Sequence, residues 1–566
     1  MTFEFAFKIK CVDFSEIRQW CEHDRGRNVF QLKKLFLETS RWILRNMNSR
    51  LETKTRNELP EWRQAVPQVI AVSIKNTLLL SFGMTLGFPT ILIPALSGDD
   101  ASETIKLGTE AISWIGSINL ICAPLGCLMS GSLTHLLGRR MTMQLVNIPI
   151  LTAWFLFYFS TDVWHIFLAS CITGLSGGLL EAPVLTYVAE VTQPRLRGML
   201  SSTSTTSIVL GIFGQFLLGS FLSWRVLAVV NCAFPIASLI LLMIIPETPV
   251  WLITKKRLEE AKKSLAWLRG WTSVENIEDE FQVLYKEITI DGDDGNELLS
   301  NKLLIMKLFG KLNFIWPYSL ITLAFVLCHF NGNSALQVYA IKVFKTFKTP
   351  LSEYYCTAIM GLAQLLGCIV CITFIKFLGK RVINFISTAA TGICFIIVGT
   401  YAYMNNIKYL ENPANDTSSA DNSTYFHQWI PVTFLVFSTF FSFCGVKILP
   451  WVLIGELFCN EIRASAAGLS AAMGYIISFF ASKLFLDMVA TMTLPGMFWF
   501  SGGIGVIGTI VLYFVLPETE GKSLFEITEH FAGRNKLTNS VRKSKPSGRC
   551  NPAFEIEEQN FTDIRF

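Results

Sequence analysis

The chain has 566 residues, of which 51% are hydrophobic and 16% charged, and its formal net charge at pH 7 is +5. Soluble proteins carry roughly 25% charged residues, so this composition excludes an ordinary soluble domain. The modest charge, without basic clusters that alternate with aromatic residues, argues against a nucleic-acid partner, and no nucleophile–base or metal-ligand pattern indicates an enzyme or a cofactor.

Long apolar runs dominate the chain after residue 65. A helix that crosses a bilayer needs about 20 such residues. The runs predict an all-α membrane protein with twelve transmembrane helices in two six-helix bundles, residues 66–246 and 314–516. The predicted spans are 68–94, 109–136, 141–160, 164–188, 200–222 and 225–246, then 315–344, 353–375, 382–404, 429–455, 464–488 and 494–516.

The polar parts of the chain are an N-terminal arm of residues 1–65, a linker of residues 247–313 and a C-terminal tail of residues 517–566. The arm lacks the apolar stretch of a secretory signal. In the linker, residues such as Leu258 and Leu265 recur at helical spacing against a charged face, which predicts a helical linker. Lys and Arg concentrate beside the spans on the side shared by all three segments, so we expect that side to be cytosolic.

Two glycosylation sequons, at Asn415 and Asn422, lie in the polar loop between the ninth and tenth spans. The charge rule places this loop outside the cell, where such sites are modified. The sequence therefore predicts a multi-pass protein of the plasma membrane with both termini in the cytosol. We expect it to be a monomer in the lipid bilayer.

Charged residues end several spans at matching places in the two halves. Gly138-Arg139-Arg140 after span two returns as Gly379-Lys380-Arg381 after span eight. We interpret the set as a cytosolic ion-pair latch that holds the two halves together when the outward side is open; the alternative is that each charge only anchors a helix end. The set consists of Arg139, Arg140, Glu190, Arg197, Glu247, Lys380, Arg381, Glu456, Arg463 and Glu518.

Taken together, these motifs resemble the sugar-porter branch of the major facilitator superfamily. The phrases Pro249-Val250-Trp251-Leu252 and Ser264-Leu265-Ala266-Trp267-Leu268-Arg269-Gly270 are similar to its facilitated trehalose transporter group. The resemblance covers residues from about 66 to about 535 and implies alternating access, in which two bundles rock around a central solute site. The motifs are Gly138-Arg139-Arg140, Glu190 with Arg197-Gly198, Pro246-Glu247-Thr248-Pro249, Pro450-Trp451 with Gly455-Glu456 and Arg463, and Pro517-Glu518-Thr519-Glu520-Gly521.

The chain departs from the family pattern where sugar porters contact sugar. Span seven of these proteins typically shows Gln-Gln-x-Ser/Thr-Gly-x-Asn, whereas Cys328-His329-Phe330-Asn331-Gly332-Asn333-Ser334 keeps only the glycine. The Asp of span one and the Arg of span four that mark proton-coupled porters are absent, which favours downhill facilitation. The candidate solute-binding residues, at family contact positions or beside them, are Thr205, His329, Asn331, Ser334, Gln364, Trp451, Tyr475 and Ser478.

Two ionisable residues lie deep in predicted spans, Glu181 in the fourth and Lys447 in the tenth. A charge at mid-bilayer costs about 2.5–3.5 kcal/mol, so each should face the protein interior and have a partner. We hypothesise that they border the central cavity, where they bind a charged solute or pair across the halves; alternatively, one of them reaches the membrane surface. His329 is open to two interpretations, a group that titrates near neutral pH or a packing residue.

The sequence thus favours facilitated transport of a small polar solute, a hexose or trehalose, by alternating access. A carrier of a non-sugar or charged solute is the first alternative, motivated by Glu181, Lys447 and the altered span seven. The second is a transporter-like sensor that binds solute without moving it, motivated by His135 and Lys376, which replace the usual acidic or amide residues of the two loop motifs.

Overall fold

The computed structural model describes residues 60–99, 103, 105–290, 312–410, 427–458, 463–522, 524–531, 533, 534, 536 and 537. The chain divides into two units, Met1–Gln64 and Ala65–Phe566. The account below concerns the second. The predicted glycosylation sites Asn415 and Asn422 lie outside the described residues, as do nearly all of the arm and most of the tail.

Within the described ranges, every regular element is a helix. The first half begins with the long helix α1, which runs through three prolines. Its helices are α1 (Glu61–Pro94), a π-helical turn (Ala95–Asp99), α2 (Thr109–Ile115), α3 (Ile118–Leu137), α4 (Arg139–Tyr158), α5 (Val163–Val191), α6 (Pro194–Gly219), α7 (Trp224–Asn231) and α8 (Ala233–Leu242).

Short amphipathic helices follow in the linker and pack on the first half. Their apolar faces meet around Trp251, Leu265 and Phe281, which are all buried. The indole N–H of Trp251 donates to the carbonyl of His135 at 3.0 Å, which ties the linker to the end of α3. The linker helices are α9 (Pro249–Thr254), α10 (Leu258–Leu268), a 3₁₀ turn (Val274–Ile277) and α11 (Glu278–Ile290). The end of the molecule at which they lie is called the linker end, and the opposite end the far end.

The second half repeats the pattern of long helices. Its last helix, which contacts the start of the half through Trp316 and Phe531, lies at the linker end. The helices are α12 (Leu312–Phe330), α13 (Asn333–Thr346), α14 (Glu353–Leu378), α15 (Lys380–Met404), α16 (Trp429–Cys444), α17 (Leu449–Glu456), α18 (Arg463–Lys483), α19 (Phe485–Val515) and α20 (Leu524–Phe531).

Ten segments of the described chain are long and apolar enough to cross a membrane. Helices α6 and α18 are not among them, because α6 carries the polar run from Ser201 to Ser207 and α18 is rich in Ala, Gly and Ser. Both have at least 21 residues, and a helix of that length, at about 1.5 Å per residue, still spans a bilayer core. The helical membrane fold is confirmed, and the count of twelve spans stays a prediction.

Four predicted spans are divided into two helices in the structure, and in two of them the break lies near the middle. Between α12 and α13, Gly332 adopts the left-handed conformation with φ +84°, which glycine reaches without strain. Between α16 and α17, Gly445 packs so closely that an added Cβ would lie 2.8 Å from Ser387. Such interruptions leave helix ends inside a membrane protein, where they are available to a solute.

The halves meet along two helix pairs, α6 against α14 and α3 against α18. The contacts at mid-length are apolar and small, as where Cys127 packs on Ala471 and Ala472. Towards the far end the halves also share polar contacts. These hydrogen bonds are Thr90 Oγ1 to the Gln337 carbonyl at 2.7 Å, Ser113 Oγ to the Lys483 carbonyl at 2.9 Å, and Ser220 Oγ to the Tyr354 carbonyl at 3.2 Å.

Candidate functional site

A glycine turn joins α3 to α4 at the linker end of the first half. Gly138 has φ +98° and ψ 167°, a conformation that is essentially restricted to glycine. The N–H groups of Arg139 and Arg140 each donate to the carboxylate of Glu247 at 3.0 Å. The guanidinium of Arg139 pairs with Glu190 on α5 at 2.7 Å. These five residues, the first corner, tie three spans and the start of the linker together.

The second half builds the same arrangement. Gly379 has φ +82° and ψ 161°, and the N–H groups of Lys380 and Arg381 each donate to Glu518 at 3.1 Å. The ammonium of Lys380 pairs with Glu456 at 2.7 Å. The glycine turn has the same backbone geometry in both halves, and a carboxylate accepts from the two N–H groups after it in each. These residues therefore form a second corner that is equivalent to the first.

In this conformation the described ion pairs of the predicted latch form within each half, and a latch between the halves when the outward side is open stays a prediction. In the part of the chain that is described, Arg139–Glu190 and Lys380–Glu456 each join helices of one half. The reason is local, because each glycine turn presents its N–H groups to a carboxylate that a later span of the same bundle brings to the same end. Arg197 donates to the Thr192 carbonyl in its own half at 3.5 Å, and the side chain of Arg463 lies outside the described residues.

A double-mutant cycle distinguishes one latch from two. Combining Arg139→Gln with Glu190→Gln should reveal a coupling of about 1–2 kcal/mol in unfolding free energy, because the two partly buried groups touch. The matched cycle of Arg139→Gln with Glu456→Gln should show coupling within about 0.5 kcal/mol, as expected for separate sites. Thermal or denaturant unfolding in detergent gives both values. A large coupling in the second cycle would contradict the assignment of each corner to one half.

A lysine, a histidine and a serine lie together where two broken spans meet. Lys447, between α16 and α17, places Nζ 2.5 Å from Ser334 Oγ on α13. His329 Nδ1 lies 2.9 Å from the same oxygen. Among the described side chains, no carboxylate lies within ion-pair distance of the Lys447 ammonium. The cluster is therefore a net cation.

Aromatic rings lead from this cluster to a carboxylate in the first half. The His329 ring stacks on Phe325 at 6.0 Å, and Phe325 meets Trp451 edge-on at 5.3 Å. Trp451 lies 5.7 Å from the ring of Tyr475. The Tyr475 hydroxyl donates to Glu181 at 2.8 Å, a bond that joins α18 to α5 across the interface between the halves. The hypothesis that Glu181 pairs with Lys447 is not what this conformation shows.

Two predicted solute ligands make no described contact with this cluster. Asn331 is fully buried, and its Oδ1 would lie 2.8 Å from a Cβ on Gly505, so it packs against α19. Gln364 is also fully buried. Helical spacing places it on the side of α14 that carries Gly361 and Cys368, both of which contact α6.

The remaining two candidates lie on helices at the interface between the halves. Thr205 is half-buried on α6 and Ser478 is buried on α18, and no described hydrogen bond links either to the cluster. The structure thus connects six of the proposed residues by direct contacts, and we call them the central site. They are Glu181, His329, Ser334, Lys447, Trp451 and Tyr475.

Sequence reasoning missed a buried charge in the first span. Lys75 on α1 is fully buried, and its ammonium donates to Ser204 on α6 at 2.6 Å. Its neighbour Asn76 donates to Thr203 at 2.8 Å. The signal in the sequence is a lysine inside an apolar run. The prediction for the first span concerned only its lack of a carboxylate.

Comparisons with known proteins give a consistent result. The chain matches the sequence model of a family described as "Sugar (and other) transporter" over residues 81–531. It is 29% identical to a facilitated trehalose transporter of Polypedilum vanderplanki over 485 residues, 85% of this chain and 92% of that protein. It is 30% identical to one of Apis mellifera ligustica over 449 residues, 79% of this chain and 85% of that protein.

The fold also matches solved structures. The xylose transporter XylE from E. coli, in a partially occluded inward-open conformation, aligns with a TM-score of 0.63 and 17% identity, over 81% of this chain and 99% of that one. At this identity the likeness shows the fold and nothing finer.

Proposed function

Because this chain belongs to the sugar (and other) transporter family, we propose that it is a facilitative carrier that moves a sugar, a hexose or trehalose, across the plasma membrane. Its family is one of membrane transporters and not of enzymes. The curated relatives are named for facilitated trehalose transport, and this supports the solute class. Transport proceeds by alternating access of one site to the two sides of the membrane.

One observation carries the proposal: the central site takes groups from both halves and lies at mid-length of the spans. Glu181 comes from the first half, and Trp451 and Tyr475 come from the second. A solute bound there contacts both bundles, so a rocking motion of one against the other changes which end it can leave from. The hydrogen bonds between the halves towards the far end support a conformation that is closed on that side.

The finer topology is part of the same proposal. We take α6 and α18 as spans, which gives twelve, and the linker end as cytosolic with both termini, because Lys and Arg gather there. The loop with Asn415 and Asn422 is then outside.

The two corners keep each bundle rigid during the motion. The carrier works as a monomer.

In the central site, the chain offers the contacts that a sugar needs. The rings of Trp451 and Tyr475 present flat apolar surface to the C–H face of a sugar ring. Glu181 accepts hydrogen bonds from sugar hydroxyls, and Ser334 can donate or accept. These contacts bind the solute without covalent chemistry. The carrier equilibrates it down its gradient, as the absence of the Asp and Arg that mark proton-coupled porters favours.

Purified protein in liposomes should take up labelled glucose or trehalose without a proton gradient. Trp451→Ala should lower the uptake at subsaturating sugar about tenfold, since the contact between the indole ring and the sugar is lost and such a contact contributes about 0.5–1.5 kcal/mol. Trp429→Ala is the matched control, because this tryptophan is exposed at the start of α16. Equal uptake by the Trp451 variant would remove the central site from the proposal. Sugar binding without uptake would instead establish the sensor.

A further inference from the structure

The cationic cluster at the broken helices has no protein counter-ion among the described residues. Lys447 lies in the middle of a predicted span and is half-buried, and the single described hydrogen bond of its ammonium goes to the uncharged hydroxyl of Ser334. An ammonium at this depth of a membrane protein is costly unless an anion, water or a set of acceptors offsets it. An anionic ligand would supply the missing charge.

Hydrogen-bond chemistry makes the cluster a set of donors. An ammonium can only donate, so Ser334 Oγ accepts from Lys447, and its hydroxyl hydrogen can then be donated to His329 Nδ1. In the tautomer that accepts this bond, a neutral imidazole carries its proton on Nε2. That nitrogen is buried and has no protein partner among the described residues. Lys447 and His329 thus both have donors left over and no acceptor to receive them.

The lysine and the histidine meet on the same hydroxyl. Ser334 is the second residue of helix α13, which begins at Asn333 and is kinked at Tyr339, where φ is −105° and ψ is 17°. The ammonium of Lys447 and the imidazole donor of His329 favour a negative group beside Ser334.

We propose that this carrier also takes, and prefers, a sugar acid with a single carboxylate, which binds at Lys447 and His329. Its hydroxyl groups face Tyr475 and Glu181 at the other side of the central site, and its ring packs on Trp451. This rests on the proposed function, transport of a sugar through the same site, and adds the acid to the neutral sugars proposed above. One lysine matches one negative charge, which favours a carboxylate over a doubly charged phosphate ester.

Glu181 limits the number of acidic groups that the solute can carry. It can only accept hydrogen bonds while ionised, and it lies beyond three aromatic rings from the cationic cluster. A second acidic group on the solute would approach this carboxylate and be repelled. The site therefore selects a monoacid over both the neutral sugar and the diacid.

The test compares glucuronate with its neutral methyl ester, with glucose 6-phosphate and with the diacid glucarate. In proteoliposomes, glucuronate should compete with labelled glucose about tenfold to a hundredfold better than the ester, as expected for a hydrogen-bonded charge. Glucose 6-phosphate and glucarate should compete more weakly than glucuronate. Labelled glucuronate should itself be taken up.

Two lysine variants make the comparison specific. Lys447→Met should abolish the preference for glucuronate over its ester, and Lys75→Met, which removes another lysine inside a described span, should keep it. A wild-type protein without the preference, or a Lys447→Met protein that retains it, overturns the inference. If glucose is still taken up when the preference for glucuronate is absent or insensitive to Lys447→Met, the proposed function stands. If none of these solutes is bound or taken up, the proposed function and the preference for a sugar acid are both overturned. The wild-type comparison decides even if the variants do not fold.

Discussion

Replacement of Gly138 by alanine is expected to destabilise the protein more than any other single change considered above. Its φ of +98° with ψ 167° costs a residue with a side chain about 1–3 kcal/mol. An added Cβ would also lie 2.5 Å from Glu247 Oε2. The carboxylate must then move, which leaves the N–H groups of Arg139 and Arg140 without their acceptor, at about 1–3 kcal/mol more.

Thermal unfolding in detergent and the yield of monodisperse protein measure this effect. Gly198→Ala is the matched control, since Gly198 is exposed in α6 and an added Cβ would meet nothing within 4 Å. This control should be neutral or slightly stabilising, because alanine favours a helix over glycine by about 1 kcal/mol. Equal stability of the two variants would show that the first corner does not hold the bundle together.

Tyr475→Phe should shift the balance between the two conformations of the carrier. The variant loses the 2.8 Å bond to Glu181 that connects the halves in this structure. A hydrogen bond to a charged group contributes about 1.5–3 kcal/mol, so the ratio of the two states should change roughly tenfold to a hundredfold. The conformation closed at the far end loses this stabilisation, and the opposite one gains population.

Hydrogen–deuterium exchange at the far end detects that shift. Segments around Ser113 and Lys483, which share a bond between the halves, should exchange faster in the variant. Tyr403→Phe is the control, because Tyr403 is 66% exposed on α15. Unchanged exchange in Tyr475→Phe would mean that this bond persists in both conformations and does not bias them.

The sequence predicted the helices well and their interruptions not at all. The span predicted at 353–375 is α14, Glu353–Leu378. The span predicted as continuous over 315–344 is instead α12 and α13, with a left-handed glycine between them. Hydropathy reports how apolar a run is, and an interrupted helix is as apolar as an intact one. Only the packing of Gly332 against Ser501 requires the break at that point.

The contacts of the site residues were also not predictable from the sequence pattern, because they depend on tertiary packing. The charged corners were found as a set because the motif occurs twice, but which carboxylate each cation meets depends on tertiary packing. Asn331 and Ser334 stand three residues apart, yet the turn at Gly332 sends the first towards α19 and the second towards Lys447. A helical wheel drawn through the break cannot separate them.

The attachment of the linker has a mechanical consequence. Trp251 bonds to His135, and the Leu268 carbonyl accepts a bond from Gln68 at 3.4 Å, so the described linker helices are fastened to the first bundle. The described linker helices therefore move together with the first bundle during the transport cycle. A dye attached to Lys263, whose side chain is exposed on α10, would report the movement of the first bundle in each transport cycle. The dye would lie away from the solute pathway.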